Sequence, residues 1–429
     1  KDLGIPDELV LENFIFDGSK VGEHMTNPVD PKLKKKWFGA APPDLTLVAR
    51  ARGEKWLYTY LKSFYVDESR PYGYNNLLFK DVGMPNALLN LQGDQSCEPA
   101  WAIAANGGIT SLTQHQGINL QHGGFEYIDC LTTDIKQAVA YSDILILPVP
   151  SFAQVPLFKE MLPYLQDNQT LVLMPGNYGS LALNQIKDEM GYQSLQLTFV
   201  DAISIPWATR ITGNAEIAIF GIKAFLPMAA LPASRTEESI AKLQEIFPLT
   251  LTPLPNVIAA GLENINFGGH PLMTTLNIGL LENFPGKFNY YTDCCSPATA
   301  KACESMDKER LSVGDAMGLT LKPELQAMNE LYEMEAKSVY ELNKTSQTHG
   351  SVNSAPDSSN NRYITEEVPY LVVPCVEFAK LLNVETPIAT SVIHITNAFN
   401  DSNYFKSGRT LEKLGLTSMT LPEILQKVS

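Results

Sequence analysis

From about residue 96 the chain alternates short apolar runs with longer stretches in which apolar residues recur every three or four positions. The short runs at 143–149, 170–174, 197–202 and 216–222 predict strands, since brief aliphatic blocks bounded by turn formers suit a sheet covered on both faces. Between them the spacing predicts a helix from Thr132-Thr133-Asp134-Ile135 through Tyr141, with Thr133 or Asp134 as its cap. A second runs through Met190 and a third covers 236–247. Strands alternating with helices predict a parallel sheet with crossover helices. Pro248, Pro253 and Pro255 then mark a linker, after which helical spacing takes over, with helices expected at 297–318, 323–343, 374–382 and 387–397. Leu325, Met328, Leu331 and Met334 form an apolar stripe suited to helix-on-helix packing.

Within the helical part, the stretch 264–282 sets His270 before Pro271, an arrangement that suits the first turn of a helix because proline has no N–H to leave unpaired there. Thr274, Asn277 and Leu281 follow at steps of four, three and four, which lays an imidazole, a hydroxyl and an amide along one face. The residue types allow two readings: a helix terminus with a satisfied histidine, or a general acid/base, for which imidazole is suited near neutral pH. The second reading requires a carboxylate partner. A candidate lies far downstream in Arg362-Tyr363-Ile364-Thr365-Glu366-Glu367-Val368-Pro369.

Composition narrows the partners. A chain of 429 residues with 45% apolar content is long enough for two or three domains. Acidic residues outnumber basic ones, 47 to 32, and the net charge of -15 argues against a nucleic-acid surface; Lys34-Lys35-Lys36 beside Trp37 reads as a solvated face. Six cysteines include no Cys-x-x-Cys pair, so neither a disulfide framework nor a zinc site is expected, and Cys294-Cys295 reads as buried packing. No run reaches the roughly 20 apolar residues of a membrane span, so no membrane anchor is expected. The opening Lys1-Asp2-Leu3 reads as the front of a fragment.

The carboxyl ends of the expected parallel strands are where such sheets bind ligands. Pro150 and Ser151 follow one of them, and Pro175-Gly176-Asn177-Tyr178-Gly179-Ser180 follows another, either as a tight turn or as a cofactor contact. Arg210, between two strands, either pairs with a surface acid or meets substrate. Asp307 and Glu309 read as a solvated or salt-bridged face. A pyrophosphate-binding glycine turn is not intact. Asn106-Gly107-Gly108 is its nearest remnant, and the 26 positions from Asn106 to Thr132 are fewer than the roughly 30 of a first βαβ unit, so the opening element is expected to be missing.

Asn266, His270, Asn277 and Gly279 match a signature of the octopine/nopaline (opine) dehydrogenases, Asn-Pro-x-x-His followed by Leu-Asn-x-Gly, with Phe267 in place of the proline. Arg362, Tyr363, Glu366 and Pro369 match a second signature, Arg-Tyr-x-x-Glu-Asp-x-Pro, with Glu367 where the family has its catalytic aspartate. The chain from about residue 105 onward therefore resembles that family. The resemblance implies reductive joining of an amino acid to a 2-keto acid with NAD or NADP as cofactor, and small-molecule partners only. It implies His270 as general acid/base, Glu367 orienting it, and Arg362 supporting the pair or clamping a carboxylate. Asn266, Thr274, Asn277 and Arg210 would meet substrate, and Asn106, Gly107, Gly108, Pro150, Ser151 and Gly176 would meet cofactor. The fold class expected is α/β: a truncated Rossmann-type parallel sheet over 96–255, followed over 256–429 by a helical catalytic domain of the 6-phosphogluconate dehydrogenase C-terminal-like kind.

The first 95 residues differ in character. Lys35-Lys36-Trp37-Phe38-Gly39-Ala40-Ala41-Pro42-Pro43-Asp44 and Val82-Gly83-Met84-Pro85 resemble cytochrome c1, a mainly helical and irregular fold in which Met84 would stand as the axial haem ligand. Covalent haem attachment needs Cys-x-x-Cys-His, which the chain lacks, so haem c is not expected. The chain thus reads as a chimera whose second part is the enzyme. Its alternatives are an electron-transfer fragment and a non-functional fusion. The cytoplasm is the expected compartment, although the cytochrome-like part implies the periplasmic side of a membrane.

Overall fold

The computed structural model describes residues 132–213, 216–286, 288–346 and 355–429, with short pieces at 60–61, 64–66, 74–76, 117–120 and 124–127. The chain divides into two compact units, Lys1–Glu98 and Pro99–Ser429. In the first, β1 (Phe64–Val66) pairs antiparallel with β2 (Tyr74–Asn76). The Tyr60 ring stands edge-on to Phe64 at 5.4 Å, and Asn76 Nδ2 donates to the Tyr60 carbonyl at 2.7 Å. Met84 and the lysine cluster lie outside the described residues.

In the second unit, helix α1 (Ile135–Ala140) starts where Asp134 accepts from the N–H groups of Lys136 and Gln137, so the aspartate is the cap. Strands β5 (Ile144–Leu147), β6 (Thr170–Leu173) and β7 (Thr198–Ala202) run parallel, with Ile144 opposite Thr170 and Thr170 opposite Thr198. Helices α2 (Ser151–Met161) and α3 (Gly179–Glu189) make the crossovers. Every residue of β6 and β7 is buried, as a strand covered on both faces requires.

The sheet is not parallel throughout. β10 (Phe225–Leu231) pairs antiparallel with β7, and β11 (Thr250–Pro253) lies parallel beside β10, giving the order β11-β10-β7-β6-β5. The expected strand at 216–222 forms, but in another sheet. As β9 (Glu216–Ile222) it pairs with β8 (Trp207–Gly213) and with a strand pair, β3 (Gly117–Leu120) and β4 (Gly124–Tyr127), in the order β4-β3-β9-β8. The cause is topological. β8 and β9 make a hairpin that returns the chain to the end of the sheet it had left, and a strand entered from that end runs antiparallel to its predecessor. Helix α4 (Thr236–Gln244) then allows β11 to follow β10 in parallel.

After β11 come helices α5 (Val257–Leu262), α6 (Asn266–Leu276), α7 (Ile278–Asn283), α8 (Tyr290–Asp293), α9 (Pro297–Ala316), α10 (Glu324–Leu331) and α11 (Val339–Thr345). Beyond the undescribed 347–354 lie α12 (Arg362–Thr365), α13 (Val373–Leu382), α14 (Pro387–Phe399), α15 (Tyr404–Ser407) and α16 (Leu421–Val428). The single helix expected over 323–343 is two. Glu333 adopts φ 51°, and the Asn329 amide takes both the N–H and the carbonyl of Ala336, at 3.0 and 2.8 Å, which closes a loop where the helix would have continued.

Of the solvated or salt-bridged face expected at Asp307 and Glu309, the salt bridge forms at Asp307 and neither side chain is fully solvated. Asp307 is buried and paired with Arg310 at 2.7 Å, while Glu309 accepts from the N–H groups of Ile388 and Ala389 at the start of α14. Cys294, Cys295, Cys303 and Cys375 are buried free thiols, and burial pushes Cys294 up to about 12.

One apolar core joins sheet and helices. Tyr178, between β6 and α3, packs its ring 5.9 Å from Phe378 of α13, and both belong to the same cluster as Leu171, Phe199 and Ile258. Asp201, at the end of β7, accepts from Ser180 N–H and Oγ at 3.1 and 2.9 Å, and burial pushes its carboxyl up to about 6. Gly176 lies so close that an added Cβ would stand 2.3 Å from Asp201 Cβ. Gly176→Ala is therefore expected to lower stability by about 1–3 kcal/mol through overpacking, measured as a reduced urea midpoint with an unchanged slope.

Candidate active site

His270 lies in the middle of α6, not at its mouth. The helix begins earlier because the Asn264 side chain accepts from Asn266 N–H at 2.9 Å, which leaves Pro271 inside the helix. The glycines before the histidine have a packing cause: a Cβ on Gly268 would stand 2.3 Å from Glu324 Oε2 of α10. Beyond Leu276 the helix breaks at Asn277, whose amide donates to the carbonyls of Met273 and Cys294 at 2.8 and 3.0 Å. Asn277 thus holds the α6–α7 junction and does not face the imidazole's nitrogens. Thr274 Oγ1 meets the Tyr290 hydroxyl at 2.8 Å.

The carboxylate arrives from the far end of the helical part. His270 Nδ1 lies 3.3 Å from Glu367 Oε1, and Asn266 Nδ2 donates to that oxygen at 3.2 Å. His270 Nε2 lies 3.2 Å from the Tyr291 hydroxyl. The ring of Tyr363 stacks on the imidazole at 3.8 Å and 17°, and Tyr290 stands edge-on at 6.3 Å. Both nitrogens and one face of the imidazole are therefore held. Glu367 is 2% exposed; its burial pushes the carboxyl up to about 7, against the opposing pull of the Arg362 charge and the Asn266 amide. A carboxyl displaced that far exchanges protons near neutrality, where imidazole does so as well.

Glu366 turns the other way. Its Oε1 accepts from Ser151 N–H at 2.9 Å and Ser151 Oγ at 3.1 Å, at the N-terminus of α2. Burial, then the neighbouring Glu367 charge, raises its pKa. Consecutive helical residues point about 100° apart, so adjacent acids address two elements. Beyond them Pro369 and Pro374 each lack the N–H that would bond four residues back, and over Val368–Val372 the turn widens until Val373 N–H reaches the Val368 carbonyl. Arg362 is 60% exposed on its side chain, with Nη2 3.2 Å from Glu366 Oε2.

At the strand ends, Pro150 precedes α2 with extended backbone, and Ser151 is turned to Glu366. The Gly176 carbonyl accepts from Arg409 Nη1 at 3.1 Å, and Arg409 also reaches the Asn177 carbonyl and Gln154. Arg210 lies in β8 opposite Ala218, with its side chain outside the described residues. Asn106, Gly107 and Gly108 lie outside them too. Asn177 lies in the turn that the sequence offers as a tight turn or a cofactor contact, whereas Tyr290, Tyr291, Asn264 and Arg409 carry no role in the motifs read from the sequence.

A mainly parallel sheet is thus joined through one core to a helical body that presents a buried imidazole–carboxylate pair. Residues 253–400 match the family described as NAD/NADP octopine/nopaline dehydrogenase, alpha-helical domain, and this part of the chain is similar to those dehydrogenases. An opine dehydrogenase of Arthrobacter sp. (strain 1C) is 28% identical over 347 residues, 80% of this chain and 94% of that protein. An octopine dehydrogenase solved with NADH and L-arginine shares the fold at a TM-score of 0.58 and 19% identity, over 73% of this chain and 87% of that one. Cytochrome c1 of Allochromatium vinosum is 43% identical over 148 residues, 33% of this chain, which spans 58% of that relative's length.

The raised Glu367 carboxyl has a measurable signature. In the folded chain it keeps its proton to about 7, whereas unfolded it releases it near the ordinary 4.5, so folding is destabilised progressively as pH rises from about 4.5 to about 7. Urea titrations across that window should show Glu367→Gln recovering on the order of 2–3 kcal/mol at pH 7 relative to pH 4.5. Equal pH slopes in parent and variant would contradict the assignment.

Proposed function

We propose that the chain is an opine dehydrogenase-type oxidoreductase that condenses an amino acid with a 2-keto acid and reduces the product with NADH or NADPH. The observation that carries this reading is the approach of His270 to Glu367 across 97 positions of sequence. In this reading residues 96–255 bind the nucleotide and 256–429 form the catalytic body. Support for a nicotinamide fit comes from the rim of the sheet. Ser151 bonds to Glu366, the neighbour of the carboxylate on His270, so the strand ends and the imidazole are joined by one hydrogen-bonded path. Pro150, Ser151 and Gly176 would hold the nicotinamide end, and the cofactor supplies hydride when bound. The phosphate contacts belong to Asn106, Gly107 and Gly108.

His270 moves two protons in turn through Nε2 from the amine nitrogen to the carbonyl oxygen, the first giving the carbinolamine and the second releasing that oxygen as water, so that the imine forms. Glu367 holds the ring through Nδ1 and balances the imidazolium charge. Tyr363 covers the ring face and keeps water from it. Arg362, exposed on one side and tied to Glu366 on the other, clamps a substrate carboxylate by a charge-assisted contact. Arg210, Asn266, Thr274 and Asn277 complete the substrate side as supports. The reading places the enzyme in the cytoplasm, where its cofactor and substrates are. Among the described residues no helix is long and apolar enough to cross a membrane.

A second reading applies to the first 95 residues, on the strength of their cytochrome c1 likeness. It makes the first part an electron-transfer fragment with Met84 as haem ligand; a Soret band in protein produced with haem-maturation factors would support it, and colourless protein would leave Met84 structural.

For the main reading, oxidation of NADH and NADPH at 340 nm is followed with a panel of amino acids and 2-keto acids. His270→Ala should lower turnover by about 10²–10⁴-fold. Turnover that survives the substitution unchanged would remove the histidine from the mechanism.

A further inference from the structure

We infer that Asn177, on the turn after β6, is a positioning residue for the His270–Glu367 pair, acting on it from the sheet side of the cleft. The inference deepens the dehydrogenase reading and rests on it for the word catalysis, though not for the geometry.

Hydrogen bonds run through this region as a closed circuit. Asn177 uses both ends of its amide: Nδ2 donates to Ser151 Oγ at 2.8 Å, and Oδ1 accepts from Asn264 Nδ2 at 2.6 Å. From Asn264 the circuit passes through its Oδ1 to Asn266 N–H at 2.9 Å. Asn266 Nδ2 then reaches Glu367 Oε1 at 3.2 Å, the oxygen that also faces His270. In the other direction Ser151 donates to Glu366, and the peptide bond between Glu366 and Glu367 closes the ring. Asn177, Ser151, Asn264, Glu366 and Glu367 are each no more than 2% exposed, so water cannot substitute for a missing link.

Asn177 is the point at which the two arms meet. One arm fixes Glu366, which precedes Glu367; the other fixes the backbone N–H of Asn266, whose side-chain amide grips Glu367. Its backbone is left-handed, φ 53°, a conformation that asparagine tolerates, and Arg409 pins the carbonyls of Gly176 and Asn177. Each carboxylate in this circuit is held through Oε1 while its buried Oε2 has no hydrogen-bond partner, so one severed link on the Oε1 side loosens its neighbours. The distance between Glu367 and His270 is thus set from both halves of the fold.

Asn177→Gly tests this, because glycine keeps the left-handed backbone and deletes only the amide. The first readout needs no turnover: the titration of the His270 ring by NMR, assigned against His270→Gln. The Asn266 hydrogen bond lowers the Glu367 pKa, so loosening it should move the apparent midpoint of the pair upward by about half a unit to one unit. The second readout is kcat against pH, in which the same limb should shift while kcat at its optimum falls about tenfold. If Asn177→Gly lacks a cooperative melt, Asn264→Ala cuts the same arm from the helical side with the same expectation. A moved NMR midpoint in a folded variant supports the inference even if the parent turns over no NADH, an outcome that would sink the dehydrogenase reading alone. An unmoved midpoint in a folded variant overturns the inference whatever the activity.

Discussion

Two adjacent carboxylates, Glu366 and Glu367, are buried at 1% and 2% exposure, and the rest of the site is arranged to make that tolerable. A buried charge is costly unless it is paired, hydrogen-bonded or shifted toward its neutral form. Here the three remedies are divided. Glu366 takes two donors from Ser151 and the Arg362 charge; Glu367 takes Asn266 and the imidazole, and its proton affinity rises until it is neutral over part of the physiological range. The wide turn over Val368–Val372 and the prolines around it hold the two side chains where their partners are.

The same constraint explains why sheet and helices form one body. Glu366 belongs to the helical part but finds its donors on the sheet, so the acids can be satisfied only when the two parts are docked. Apolar packing enforces the docking: Tyr178 fills space against Phe378, and Gly261 allows its ring to approach α5 closely. Arg409 does the same with polar bonds, reaching from near the C-terminus to carbonyls on the strand-end turn while its charge lies over Tyr370. Burial brings that guanidinium down to about 10, a measure of how completely it has left water.

Glutamate at 367 is, with Phe267, one of two departures from the signatures the chain resembles, and the structure gives it a geometric consequence. The carboxylate reaches His270 at 3.3 Å from a helix turn that also accommodates the stacked Tyr363 ring. Around it the site is aromatic and weakly polar, with Tyr290, Tyr291 and Tyr363 enclosing the imidazole. Such surroundings raise a carboxyl and bring its proton affinity toward that of an imidazole, the condition under which the two groups share a proton.

The apolar pattern by itself determined the strands at 144–147, 170–173 and 198–202 and most of the helices, because burial on both faces or on one helical face writes a period into the chain. The paired motifs around His270 and Glu367 were also legible, as residue types matched to a family. Tertiary structure alone decided that β10 runs antiparallel, since a hairpin's return path is a property of the whole chain. It alone placed His270 inside α6, because the helix starts at Asn266, whose N–H is taken by the Asn264 side chain. It alone brought Asn177, Tyr291 and Arg409 to the cleft. Their partners lie up to 255 positions away in the chain, and hydrogen bonds between such distant residues leave no local period for a sequence to display.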